Sequence, residues 1–135
     1  MTRILMSGLF LASFTLPGCA NGDLDLPRAY RIVEVPAGLL ESGDSRARGR
    51  ALFLEHCALC HGERGDGHGS RTEGLSRAPR DFTNTGWRRS TSPRRVFFSI
   101  REGISGTPMP QWKSLSERDA WEMTAYVLSL AGASE

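Results

Sequence analysis

The chain has 135 residues, 17 basic against 15 acidic, and a net charge of +2. That length holds one small domain with something left over, and the near-neutral balance argues against nucleic acid as the main partner, which calls for a strongly basic domain. Three cysteines, Cys19, Cys57 and Cys60, are too few for a disulfide-stapled fold.

At the N-terminus one Arg precedes an apolar run from Ile4 to Leu16. The run is shorter than the roughly 20 residues that cross a bilayer and fits the apolar core of a secretory signal. LPGC, ending at Cys19, resembles the bacterial lipoprotein signal box. The resemblance implies that residues 1–18 are a removed signal, that Cys19 is lipidated, and, from Ala20, that the chain reaches the outer membrane on its periplasmic side. Residues 19–44 carry Pro27, Pro36 and three glycines without a helical period, and read as a membrane tether. The segment YRIVEVP within it is a candidate clasp on the domain.

A compact domain is expected over residues 45–131, with 132–135 as a tail. Ser45 can cap a first helix to about His56, with Ala47, Ala51 and Leu54 on one stripe and Gly49 and Phe53 one turn apart. Ser92, Pro93 and Gly103 frame a second helix with Val96, Phe97 and Ile100 on its apolar face. Ser116 and Asp119 have capping-box spacing at the start of a third. Its stripes are Ala120, Met123, Val127 and Leu130 beside Trp121, Ala125 and Leu128, and Gly132 ends it. Nothing alternates convincingly like a strand. Residues 62–91 read as loop, far longer than usual connections. Three short helices and such a loop make a poor core in so small a domain, so an apolar cofactor is expected to fill the middle. Residues 64–101 hold nine Arg against three acids, which reads as either a docking face for a charged protein or a solvated surface.

Cys57-Ala58-Leu59-Cys60-His61 admits three chemistries. A redox dithiol wants a βαβ context, which is not visible. Zinc wants four closed ligands, and adjacent helical residues such as Cys60 and His61 diverge. Covalent haem c fits: thiols three apart share one side of a helical turn and can add to two porphyrin vinyl groups, while His61 follows as the proximal iron ligand. His56 and His68 are expected to be bystanders.

With this motif the chain resembles a bacterial single-haem class I cytochrome c. RGRALFLEHCALCHGERGDGHG, APRDFTN, SIREGISGTPMPQW and AWEMTAYVLSL match that family's segments in order over about residues 46–131. The resemblance implies an all-α fold, three or more helices wrapped around one covalent haem, with the first and last helices crossing at Gly49, Phe53 and Tyr126. It also implies that the Pro79 carbonyl accepts a hydrogen bond from His61.

For the sixth iron position Met109 is the candidate. Pro108 and Pro110 stiffen its loop, soft sulfur suits His/Met iron, and the resemblance puts an axial Met there too. Met123 reads as core. Trp87 and Trp112 are expected at the haem edge, and Arg80, Arg88 and Arg89 are candidates for its propionates. The expected function is one-electron transfer between redox partners, with no enzyme activity of its own. Three alternatives stand beside it: a haem subunit of a larger oxidoreductase, an open-site sensor or peroxidase if Met109 does not ligate, and an assembly lipoprotein with structural haem.

Overall fold

The computed structural model describes residues 23–132. The signal, Cys19 and the last three residues of the tail lie outside them. The described chain is helical without strands: α1 (Arg28–Arg31), α2 (Ala37–Glu41), α3 (Gly43–His56), α4 (Ala58–His61), α5 (Thr85–Ser90), α6 (Pro93–Glu102) and α7 (Glu117–Ser129). The expected all-α fold is what forms.

Local signals set most boundaries. Ser92 accepts from the Arg95 N–H at the start of α6, with Pro93 at the first helical position, and Ser116 accepts from the Asp119 N–H at the start of α7. The first helix starts earlier than expected: Ser42 is the cap, accepting from the Ser45 N–H, and Ser45 is buried inside the helix. Its buried stripe is also different. Ala47 and Ala51 are exposed, and Ser45, Gly49 and Phe53 face inward. Small residues at 45 and 49 let α7 come close. A Cβ on Gly49 would sit 2.0 Å from the Glu122 carbonyl oxygen, so only glycine permits this crossing.

Helix α7 is the hub. It packs on α2, α3 and α6, and every residue from Ala120 to Val127 is buried. Trp121 stacks on Phe97 of α6 at 4.1 Å, and Tyr126 meets Phe53 of α3 edge-on at 5.3 Å, so the crossing falls at Gly49, Phe53 and Tyr126. One charge sits in this core. Glu122 is buried and accepts from Arg48 Nη2 at 2.8 Å and Arg118 Nε at 2.9 Å. Arg48 foremost, with Arg118, holds its carboxyl below the usual range.

Residues 23–41, expected as part of the tether with YRIVEVP as a candidate clasp, are folded onto the domain, and Tyr30, Val33 and Val35 of that segment pack against the core. Leu26 is buried, Tyr30 packs edge-on against Phe98 at 4.8 Å, and α1 lies on α6. The Arg-rich stretch adds polar ties to this packing. Arg94 pairs with Asp23 at 3.5 Å and donates to the Val33 carbonyl at 2.8 Å, and Arg95 pairs with Asp25. A second departure lies in the long loop, where Asn84 caps α5 by accepting from the Trp87 N–H.

Candidate haem site

The attachment residues sit where α3 breaks. Cys57 closes α3 and precedes the single turn of α4, which carries Cys60 and His61. The His61 N–H donates to the Cys57 carbonyl at 2.9 Å, so both thiols belong to one turn. The following loop then folds back over that turn. Gly67, Gly69 and Arg71 donate backbone N–H groups to the carbonyls of His61, Cys60 and Leu59 at 2.8, 3.2 and 2.8 Å. A Cβ on Gly69 would meet the Leu59 carbonyl oxygen at 2.3 Å. Asp66 steadies the loop by accepting from the His68 N–H at 3.0 Å and from Arg64, and these bonds lower its pKa.

His61 is prepared as a ligand. Its Nδ1 donates to the Arg80 carbonyl at 3.1 Å, which fixes the tautomer and leaves Nε2 for a metal. Burial pulls its pKa down and keeps the imidazole neutral, against the opposing bond to Arg80. Phe82 stacks on its ring at 4.6 Å. The expected partner, Pro79, is one residue away from the real acceptor. The loop turns so that the Arg80 carbonyl faces His61, while the Pro79 carbonyl lies 3.0 Å from where a Gly67 Cβ would be.

The other expected residues are spread more widely. Trp87 lies against Phe82 at 5.1 Å, one ring removed from His61. Arg88 donates to the Leu128 carbonyl at 3.3 Å and thereby serves the C-terminal turn of α7. Trp112 packs on His56 at 4.9 Å. Met123 is core as expected, yet its sulfur is 3.6 Å from Cys57 Sγ, so the core reaches the attachment turn. Met109 is half-buried; its N–H donates to the Thr107 hydroxyl at 3.3 Å and its carbonyl accepts from Ile104 at 3.3 Å. Gly103, at φ +69°, lies under that carbonyl, which a Cβ would meet at 2.7 Å. Sequence reasoning offered Arg80 only for a propionate and His56 only as a bystander, and singled out neither the Arg80 carbonyl nor Phe82 as neighbours of His61. Only the aromatic at 82 offered a signal, since a carbonyl acceptor has no residue-type signature and His56 had been set aside as a non-ligand.

The donor set fits haem and not the alternatives. Among the described residues, no three His, Cys, Asp or Glu side chains group to hold a metal ion. Burial first, then the neighbouring Cys60, pushes the Cys57 thiol up to about 12. A redox dithiol needs the opposite shift. Two free thiols on one turn beside an aimed imidazole suit covalent porphyrin attachment.

A helical domain without strands among its described residues, carrying this turn, is a c-type cytochrome. Residues 44–127 match the family described as cytochrome c oxidase, cbb3-type, subunit III, and the chain belongs to that family. It is 32% identical over 117 residues to the cbb3-type oxidase subunit CcoP of Cereibacter sphaeroides, covering 84% of this chain and 38% of that one. It is 29% identical over 126 residues to a thiosulfate dehydrogenase of Stutzerimonas stutzeri, covering 93% and 39%. The chain thus spans about two fifths of these relatives' length. Among solved structures it resembles a chain of the reducing HAO-like protein complex of Kuenenia stuttgartiensis (TM-score 0.63, 31% identity, 73% of this chain and 49% of that one). It also resembles the KustC0563 c-type cytochrome (TM-score 0.52, 30% identity, 62% and 96%). The cofactor is covalently bound haem c, and Cys57 and Cys60 with His61 fit its CxxCH attachment motif.

Proposed function

We propose that the chain is a single-haem electron carrier with His61 and Met109 as axial iron ligands. Haem iron with two protein ligands cycles between ferric and ferrous states and leaves no open position for substrate. The observation that carries the reading is the His61 Nδ1–Arg80 bond, which aims the imidazole from the turn bearing both thiols. The protein's own residues do three things. Cys57 and Cys60 fix the cofactor's position, Arg80 and Phe82 fix the angle of His61, and the buried aromatics of α3, α6 and α7 keep water away. A site held this firmly reorganises little when an electron moves. In the ferric protein a weak near-infrared sulfur-to-iron band is expected, and Met109→Ala should abolish it. The same change should lower the reduction potential on the order of 100 mV, a fraction of the ~0.8 V that axial ligands span. High-spin ferric iron in the wild type defeats the reading.

Partners are redox proteins. Both a thiosulfate dehydrogenase and oxidase subunits are similar to this chain, which supports a carrier module that exchanges electrons with a larger oxidoreductase. The apolar run before LPGC supports a periplasmic location with Cys19 lipidated at the outer membrane. Mass spectrometry of the mature chain tests this: an unmodified Cys19 removes the anchor.

A further inference from the structure

The strap of residues 23–41 precedes the family match, which starts at residue 44, and electron transfer as described above gives it no task. Its second half, α2, packs on α7 and α3, while its first half runs along α6 from one end to the other. At the N-terminal end Asp23 accepts from the Ser92 hydroxyl and pairs with Arg94, and Asp25 pairs with Arg95. At the C-terminal end the Tyr30 hydroxyl donates to Glu102 Oε1. The other oxygen of Glu102 pairs with Lys113 Nζ at 3.0 Å, and Lys113 lies four residues after Met109. Glu102 is thus a two-sided connector, with the strap on one oxygen and the Met109 loop on the other.

The loop's own ties gather between Ile104 and Met109, where the Ile104 N–H donates to the Met109 carbonyl, Thr107 to the Ile104 carbonyl and the Met109 N–H to the Thr107 hydroxyl. From Gly103 to Leu115 the loop contains no helix, and much of what holds it comes from α6. The Trp112 N–H donates to the Ile100 carbonyl at 3.0 Å, Arg101 donates to the Leu115 carbonyl at 2.5 Å, and Glu102 holds Lys113. Tyr30 steadies the last of these. It packs against Phe97 and Phe98, so its hydroxyl approaches Glu102 from a fixed ring.

We propose that Tyr30 is a positioning residue for the sixth iron ligand, acting through Glu102 and Lys113 to hold the Met109 loop closed. The N-terminal strap then sets how readily the Met109 position yields to another ligand. The proposal rests on the assignment of Met109 as that ligand, and the experiment separates the two. Full-length ferric holoprotein is titrated with imidazole, which competes for the sixth position. Tyr30→Phe keeps the ring packing and removes only the hydroxyl. It should tighten apparent imidazole binding roughly three- to tenfold, the scale of one ordinary intramolecular hydrogen bond. Lys113→Met should do the same, and Lys113→Arg should retain the wild-type value. Asp25→Asn loosens the strap at its far end. It should lower the denaturation midpoint as much as Tyr30→Phe does while leaving imidazole affinity nearly unchanged. If Tyr30→Phe lowers the midpoint but leaves imidazole affinity at the wild-type value, while the wild type shows its sulfur-to-iron band, the relay is refuted and the strap is merely structural. If the wild type lacks that band, the assignment of Met109 fails first, and the proposal with it.

Discussion

The two sides of the haem site are held by different means. On the His61 side the loop after the attachment turn is pinned by backbone bonds: Gly67, Gly69 and Arg71 onto Leu59–His61, and the Phe82 N–H onto the Gly65 carbonyl at 2.7 Å. On the Met109 side the backbone bonds are fewer, and side chains from α3, α6 and, through Glu102, the strap complete the hold. A backbone lattice depends on where glycines fall and tolerates little change. A side-chain lattice can be loosened one contact at a time. The first suits a covalent attachment that must form once. The second suits a ligand whose strength sets the potential.

Glycine substitutions break this contrast most sharply. In Gly69→Ala the new Cβ meets the Leu59 carbonyl oxygen at 2.3 Å and the Cys60 carbonyl carbon at 2.6 Å. Backbone cannot step aside there, and a loss of about 3 kcal/mol or more is expected, with little haem-loaded protein recovered. Gly103→Ala presses on the Met109 carbonyl at 2.7 Å from a positive-φ position. It should retain the haem but lose the sulfur-to-iron band. Haem content by pyridine haemochrome and the near-infrared spectrum, measured on both variants, decide the matter. Equal haem loss in the two would show that the sides are not independent.

The attachment turn itself was legible in sequence. The attachment turn is a fixed spacing, and α6 and α7 announce themselves through Ser92-Pro93 and Ser116 with clear apolar stripes. The α3–α7 crossing was legible through Gly49, Phe53 and Tyr126, although the stripe of α3 was misread because glycine and serine carry no hydrophobic signal. The strap was legible only as the candidate clasp YRIVEVP, because residues 23–41 have no period and their contacts, apolar packing of Tyr30, Val33, Val35, Leu39 and Leu40 on the core beside ion pairs to Arg94 and Arg95, lie far along the chain. Arg88 and Trp112 were placed at the haem by residue type alone. Their actual partners, the Leu128 carbonyl and His56, depend on how loops close.

A middle-sized effect is expected at the frame both sides share. Glu122 ties α7 to Arg48 of α3, and that bond first, then Arg118, lowers its folded pKa. The unfolded value is about 4.3. A carboxylate depressed by folding contributes stability that is fully present above the unfolded value and is lost as pH falls through the lower folded value. Glu122→Gln should cost about 1–3 kcal/mol at pH 7. In denaturant titrations the gap from wild type should narrow steadily below pH ~4.3. A gap that is constant with pH would assign the loss to packing.

The smallest change tests the Met109 side at its second anchor. The His56 ring lies 4.9 Å from Trp112 at 42°, joining the residue before Cys57 to the residue three beyond Met109. It is a direct side-chain contact between the end of α3, next to the attachment turn, and the Met109 loop. His56→Leu keeps bulk but loses the ring pairing, worth about 0.5–1.5 kcal/mol, while His56→Phe restores it. The readout is again imidazole affinity, expected to rise a fewfold in the first variant and return in the second. Combined with Tyr30→Phe, the effects should add, because His56 and Tyr30 hold the loop through different residues and share no partner. A double variant that binds imidazole no more tightly than either single one would mean that the loop opens as one piece once either anchor is released, and the side-chain lattice would then be as cooperative as the backbone one opposite.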